Sequence, residues 1–204
     1  MSLALVLVRH GATTWNDNGY CQGLKDVSLS DRGRTQAEAL RAALAETGFD
    51  HVLASPLVRS QETARLATGC DPVIIDDLRE IDRGHWEGHP MDEVRRRWGK
   101  FCRDWYDDPA GLSMPGGEAF NDLWERAARA LAAIEALEGH VFACAHKALN
   151  RVLIARALGL PSKGVWDIPQ PQACRSVLAF EGGEWTAEIL GDATHLPDQL
   201  RSDR

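Results

Sequence analysis

Two histidines, two arginines and a glutamate stand at the ends of short apolar runs in this chain. Arg9 and His10 follow "LALVLV", Arg59 sits in "SPLVRS" after "HVLA", Glu80 closes "DDLRE" after "VII", and His146 follows "VFACA" with Lys147 beside it. Taken singly, each has an ordinary role as a packed or solvated polar group. Together they fit phosphoryl chemistry. Two guanidinium forks and a second imidazole would hold a dianionic phosphoryl group and share its charge as the transition state spreads. A neutral imidazole attacks phosphorus when its other ring nitrogen is kept protonated by a hydrogen bond, typically to a backbone carbonyl. Gly11 permits the tight turn that aims the His10 ring. Glu80 could protonate the departing alkoxide and then activate water. Such a site needs neither metal nor cofactor.

The elements that must position these residues are legible in the same runs. Apolar stretches at Leu3 to Val8, His51 to Ala54, Val73 to Ile75 and Val141 to Ala145 read as strands buried on both faces of a parallel sheet. Helical patterns separate them. One starts at Ser30, places Gly33, Ala37, Leu40 and Leu44 on a stripe and stops at Gly48. Another carries Phe120, Leu123, Ala127, Leu131, Ile134 and Leu137 and ends at Gly139, and a third runs from Lys147 to Leu158, closed by Gly159 and Pro161. This alternation predicts an α/β fold, a three-layer α/β/α sandwich with a mostly parallel central sheet and right-handed crossovers. "SVLAF" and "WTAEIL" around Glu181-Gly182-Gly183-Glu184 predict an edge hairpin near the C-terminus. In open α/β sheets ligands sit beyond the carboxyl ends of the strands, which is where the five polar residues fall.

Length and composition bound the rest. The 204 residues are read as one domain, 1–204, with an irregular excursion at about 82–117 that roofs the sheet. A net charge of −7 argues against nucleic acid or a membrane surface as partner, so an anionic ligand must be held by a local cluster. Five cysteines scattered singly fit no disulfide framework or zinc site, and the apolar start is too short to span a bilayer. A cytoplasmic location is expected. No repeat or low-complexity tract divides the chain. The edge hairpin leaves a homodimer possible, and the oligomeric state is otherwise open.

"LVRHGATTWN", "CQG", "LSDRG", "SPLVRSQETA", "LREIDRGHWEG", "PGGEAF" and "CAHKALNRVL" occur in an order that resembles the histidine phosphatase superfamily, also called the phosphoglycerate mutase-like family, from about Leu3 to Leu158. The resemblance implies that His10 becomes transiently phosphorylated, that Arg9, Arg59 and His146 complete the phosphate pocket, and that Glu80 is the proton donor. Asn16 and Gln22 match positions that contact phosphate or line the pocket mouth; a loop hydrogen bond or an exposed side chain is the plain alternative. Ser55 and Pro56 are read as shaping a turn, Trp86 and Gly88 as packing and backbone geometry, Glu87 as exposed or capping rather than as a second carboxylate near the site. Three departures stand out: Lys147 replaces the usual glycine, Ser28 a proline and Ala119 a serine. Lys147 either points away or brings a charge to a carboxylate or second phosphate on the substrate. The resemblance thus implies a phosphomonoesterase acting on a small phosphorylated metabolite; the alternatives are a cofactor-dependent phosphoglycerate mutase and a silent phosphate-binding module. A short connection between the acid and the second histidine favours hydrolysis. Substrate choice is assigned to the roof, with Arg83 and His85 meeting the non-phosphoryl part. Arg95, Arg96 and Arg97 are read as a solvated face, and His195 as an exposed tail residue.

Overall fold

The computed structural model describes residues 2–201. In chain order the strands and α-helices are β1 (Ser2–Arg9), α1 (Thr14–Asp17), α2 (Asp31–Ala43), β2 (His51–Ala54), α3 (Val58–Thr68), β3 (Val73–Ile74), α4 (Met91–Arg97), α5 (Gly99–Asp107), α6 (Phe120–Glu135), β4 (Gly139–Ala145), α7 (Lys147–Ala157), β5 (Arg175–Glu181) and β6 (Glu184–Asp192). One sheet takes the order β3-β2-β4-β1-β5-β6. The first four of these are mutually parallel, while β5 and β6 run antiparallel.

Alternation along the two central strands explains the three layers. Leu3, Leu5 and Leu7 of β1 and Val141, Ala143 and Ala145 of β4 point to one side, into a cluster with Leu123, Ala127 and Ile134 of α6 and Leu149, Val152 and Leu153 of α7. Val6, Val8, Phe142 and Cys144 point to the other, against Leu40 of α2 and Ala64 and Ala67 of α3. Both faces being covered, the strands read as continuous apolar runs. The hairpin turns on Gly182 and Gly183, at φ +61° and +89°, a left-handed pair that fits a two-residue connection.

Two expectations are corrected, and one helix is added. Val73 to Ile75 is not a buried central strand: β3 has two residues, lies at the sheet edge, and leaves Val73 62% and Ile74 43% exposed. With a neighbour on one side only, its apolar character reflects pairing with β2 rather than burial. Helix α3 was not read, because its buried face is made of Ser60, Thr63, Ala64 and Ala67 and carries no large apolar stripe. The stretch expected to be irregular holds α4 and α5, and its Trp86, Val94, Cys102, Trp105 and Met114 join the same buried cluster as the β1 leucines.

The start of α2 packs backbone to backbone beneath the loop after β1. Ser30 caps the helix, its Oγ accepting from Gly33 N, and its own N–H donates to Ala12 O at 2.9 Å. A Cβ on Gly33 would collide with the Ala12 carbonyl, and one on Gly11 with the Gly33 carbonyl. Gly33 is therefore a point of close approach. Gly33→Ala is expected to destabilise the protein by about 1 to 3 kcal/mol or more; urea unfolding showing a loss under about 0.5 kcal/mol would mean the loop yields freely.

Candidate active site

Register brings the two histidines together. In the parallel pair β1 and β4, Arg9 lies opposite Ala145, so His10 and His146 leave the sheet level with each other, and His10 N donates to Ala145 O at 3.1 Å. Their ring centroids are 5.1 Å apart, tilted by 59°. His10 Nδ1 lies 2.7 Å from Gly11 O. A carbonyl only accepts, so the proton is on Nδ1 and Nε2 keeps its lone pair. Burial, then Arg59 and Arg9, hold the His10 pKa well below the usual histidine value, so the ring is neutral.

His146 is fully buried, and burial followed by the charge of Arg59 likewise keeps it neutral. Its Nε2 meets Ser55 Oγ at 2.7 Å. Ser55 Oγ also accepts from Leu57 N at 3.2 Å; with its O–H donated to Nε2, the His146 proton sits on Nδ1, a buried atom with no partner. Ser55 thus orients an imidazole as well as shaping the turn, a role no sequence signal marks.

Two guanidinium groups flank the pair. Arg9 ends β1 and donates through Nη1 to Gln170 O; Arg59, in the first turn of α3, donates to Gly23 O at 2.8 Å and Lys25 O at 3.0 Å. Nε of each is buried without a partner. Burial lowers both pKa values to about 10, which leaves both cationic at neutral pH. The loop that receives Arg59 is held in turn by Glu87, whose Oε1 accepts from Gly23 N at 2.8 Å and Lys25 N at 2.7 Å. Glu87 caps that loop, one of the two alternatives left by the sequence.

Glu80 is 4% exposed and sits over the start of α7. Its carboxylate accepts from Ile81 N at 2.9 Å and from Ala148 N and Leu149 N, each at 3.3 Å. These helix-start amides therefore meet the glutamate. The segment carrying Glu80 is clamped from below by Arg126 of α6, 1% exposed, which donates to Asp77 O, Arg79 O and Glu80 O and forms a two-point pair with Glu118 at 2.8 and 2.9 Å. Nothing in the sequence pattern of this helix singles out Arg126.

Arg9, His10, Asn16, Gln22, Arg59, Glu80, Arg83 and Lys147 all line one cleft of about 910 Å³, joined by Tyr20, Arg95, Tyr106 and Gln172. His146 lies behind that wall, against His10. His85 is not on it; the His85 side chain is packed on Gly116. Asn16 accepts from Thr13 N at 3.0 Å in a capping box, and Gln22 Oε1 accepts from Thr13 Oγ1 at 2.8 Å, which leaves Gln22 Nε2 buried and unpartnered. Lys147 is partly buried and faces the cleft. Ala119 starts α6 without a side-chain cap, as its identity implies. Arg96 and Arg97 are exposed, whereas Arg95 borders the cleft, paired with Asp92. His195 is half-buried, and so is not an exposed tail residue. Among the described residues no group of three or more histidine, cysteine or acidic side chains is arranged to hold a metal ion.

The chain matches the family model described as "Histidine phosphatase superfamily (branch 1)" over residues 5–193. It is 32% identical over 198 residues to the adenosylcobalamin/alpha-ribazole phosphatase of Escherichia coli (strain K12), covering 92% of this chain and 95% of that protein. It is 38% identical over 181 residues to the probable 2-carboxy-D-arabinitol-1-phosphatase of Arabidopsis thaliana, covering 86% of this chain. The chain spans about two fifths of the length of that protein and of its Triticum aestivum counterpart, 38% and 37%. The solved alpha-ribazole phosphatase from Shigella flexneri is similar at a TM-score of 0.83 and 30% identity, over 93% of this chain and 96% of that one.

Two outcomes follow from the geometry. Arg126→Met leaves Glu118 unpaired and three carbonyls short of a donor, and is expected to cost about 3 to 5 kcal/mol in urea unfolding; a loss near zero would mean the clamp holds nothing. His10 and His146 have folded pKa values below the unfolded value, so unfolding takes up protons. Their contribution is present above about pH 6.5 and is lost as pH falls below it, by up to about 1.4 kcal/mol per pH unit per ring. His10→Gln should flatten the fall in unfolding free energy between about pH 6.5 and 5 by roughly one proton's worth; an unchanged slope would show that the ring is not held neutral.

Proposed function

Because the chain belongs to branch 1 of the histidine phosphatase superfamily, we propose that it is a phosphomonoesterase that hydrolyses a small phosphorylated metabolite through a phosphohistidine, without metal or cofactor. The observation that carries this reading is His10: a neutral imidazole with Nδ1 donating to Gly11 O and Nε2 free, between two desolvated guanidinium groups. Nε2 attacks phosphorus, and the N–P bond forms as the P–O bond to the alcohol breaks. Arg9, Arg59 and the His146 Nδ1–H bind the non-bridging oxygens and stabilise the charge that spreads over them. Glu80 in its acid form gives its proton to the leaving alkoxide, then as carboxylate takes one from the water that attacks the phosphohistidine and releases phosphate.

Asn16 and the unpartnered Gln22 amide complete the mouth of the phosphate pocket. The 82–117 segment selects the substrate, since Arg83, Arg95 and Tyr106 reach the cleft from it. The names of the relatives, a carboxyarabinitol-phosphate phosphatase and a ribazole phosphatase, support a small phosphorylated metabolite as partner. Five unbridged cysteines support a reducing, cytoplasmic setting, and among the described residues no helix is long and apolar enough to cross a membrane.

The purified chain should release p-nitrophenol from its phosphate ester equally with and without chelator, and His10→Ala should lower the rate by roughly a thousandfold or more. Release undiminished in His10→Ala, or no acid-labile phosphoenzyme in the native chain, would defeat the reading. In a single turnover, Glu80→Gln should slow alcohol release from an alkyl phosphate by about 10² to 10⁴ and p-nitrophenol release from the aryl ester far less, since that leaving group needs no proton, while steady-state turnover of both falls with the loss of the base for water.

A further inference from the structure

The wall of the cleft carries more positive charge than one phosphoryl group can use. Arg9, Arg59, Arg83 and Lys147 face it, opposed by Glu80. The remaining charged wall residues neutralise themselves, Asp92 against Arg95 at 3.0 Å and Asp17 against Arg32 at 2.9 Å. Among the described residues, neither Arg83 nor Lys147 forms an ion pair or a side-chain hydrogen bond, and Arg83 Nε is buried without a partner. Lys147 shows the electrostatic consequence. Burial, then the charges of Arg9, Arg151 and Arg83, lower its pKa to about 7, with Glu80 the opposing influence. Both cations line the same cleft with no ion pair of their own, and the cost that burial and like charge impose on Lys147 is one that a bound anion relieves.

We infer that Arg83 and Lys147 form a second anion subsite, which takes a carboxylate on the same molecule as the phosphate ester, so that the substrates are phosphorylated hydroxy or sugar acids. This rests on the phosphatase reading for the first subsite. The charge count selects the carboxylate. Arg9 and Arg59 match the two charges of a phosphate monoester dianion, which leaves Arg83 and a Lys147 that is only partly charged near neutral pH, enough for one further negative charge rather than two. A carboxylate also fits the donors, one oxygen in the Arg83 fork and the other on the Lys147 ammonium.

The test is equilibrium binding in the His10→Ala protein, which cannot turn the esters over, using pairs that differ only by carboxylate against hydroxymethyl: 3-phosphoglycerate with glycerol 3-phosphate, and 6-phosphogluconate with sorbitol 6-phosphate. At least one acid is expected to bind about tenfold tighter than its neutral partner. Adding Lys147→Met or Arg83→Met should bring that ratio toward one, and Arg83→Lys should restore part of it, with thermal midpoints confirming that each variant is folded. Equal binding within both pairs, tighter binding of sorbitol 1,6-bisphosphate than of either acid, or a ratio that neither methionine variant moves would overturn the assignment. These outcomes are separate from aryl phosphate hydrolysis by the native chain, on which the phosphatase reading stands by itself.

Discussion

The parallel pairing of β1 with β4, in the register that sets Arg9 opposite Ala145, is the constraint from which the site is built. It places two imidazoles level at the carboxyl edge of the sheet, although they are 136 positions apart in the chain. A slip of one residue would turn Leu5 and Leu7 from the α6–α7 side of the sheet to the α2–α3 side and separate the rings. The core therefore enforces the geometry of the chemistry: the alternation that buries three leucines on one face and Val6 and Val8 on the other admits a single pairing.

Around that pair the protein holds charged groups out of water and fixes each through a backbone intermediary. Glu87 grips the amides of the 23–25 loop, and the carbonyls of that loop grip Arg59. Arg126 holds the carbonyls of the 77–80 segment, which sets Glu80 over the start of α7. Side chains placed by such relays lose little freedom when a ligand arrives, the condition for stabilising a transition state with fixed dipoles and charges.

Much of this was legible in the sequence because strand ends carry a plain signal. Four apolar runs marked where the polar residues emerge, and Gly11 marked the turn. What stayed hidden was of three kinds. Helix α3 lacks an apolar stripe because small residues face the sheet, so its period is faint. Ser55, bonded to the His146 ring, and Arg126, bonded to the 77–80 backbone, act between groups far apart in the chain, which spacing does not encode. His85 lies next to residues that do reach the cleft, yet its side chain meets Gly116 instead; adjacency in sequence says little about direction in a 3₁₀ turn.

The central place of β1 also shapes how the chain must be made. Its two neighbours in the sheet, β4 and β5, begin at residues 139 and 175, so β1 is synthesised well over a hundred residues before either strand that pairs with it. Until then the nascent polypeptide carries an unsatisfied greasy ribbon, Leu3 to Val8, with both edges open. High contact order of this kind slows folding and prolongs exposure to aggregation. Synthesis thus depends on shielding that ribbon until the strand that pairs with it has been made.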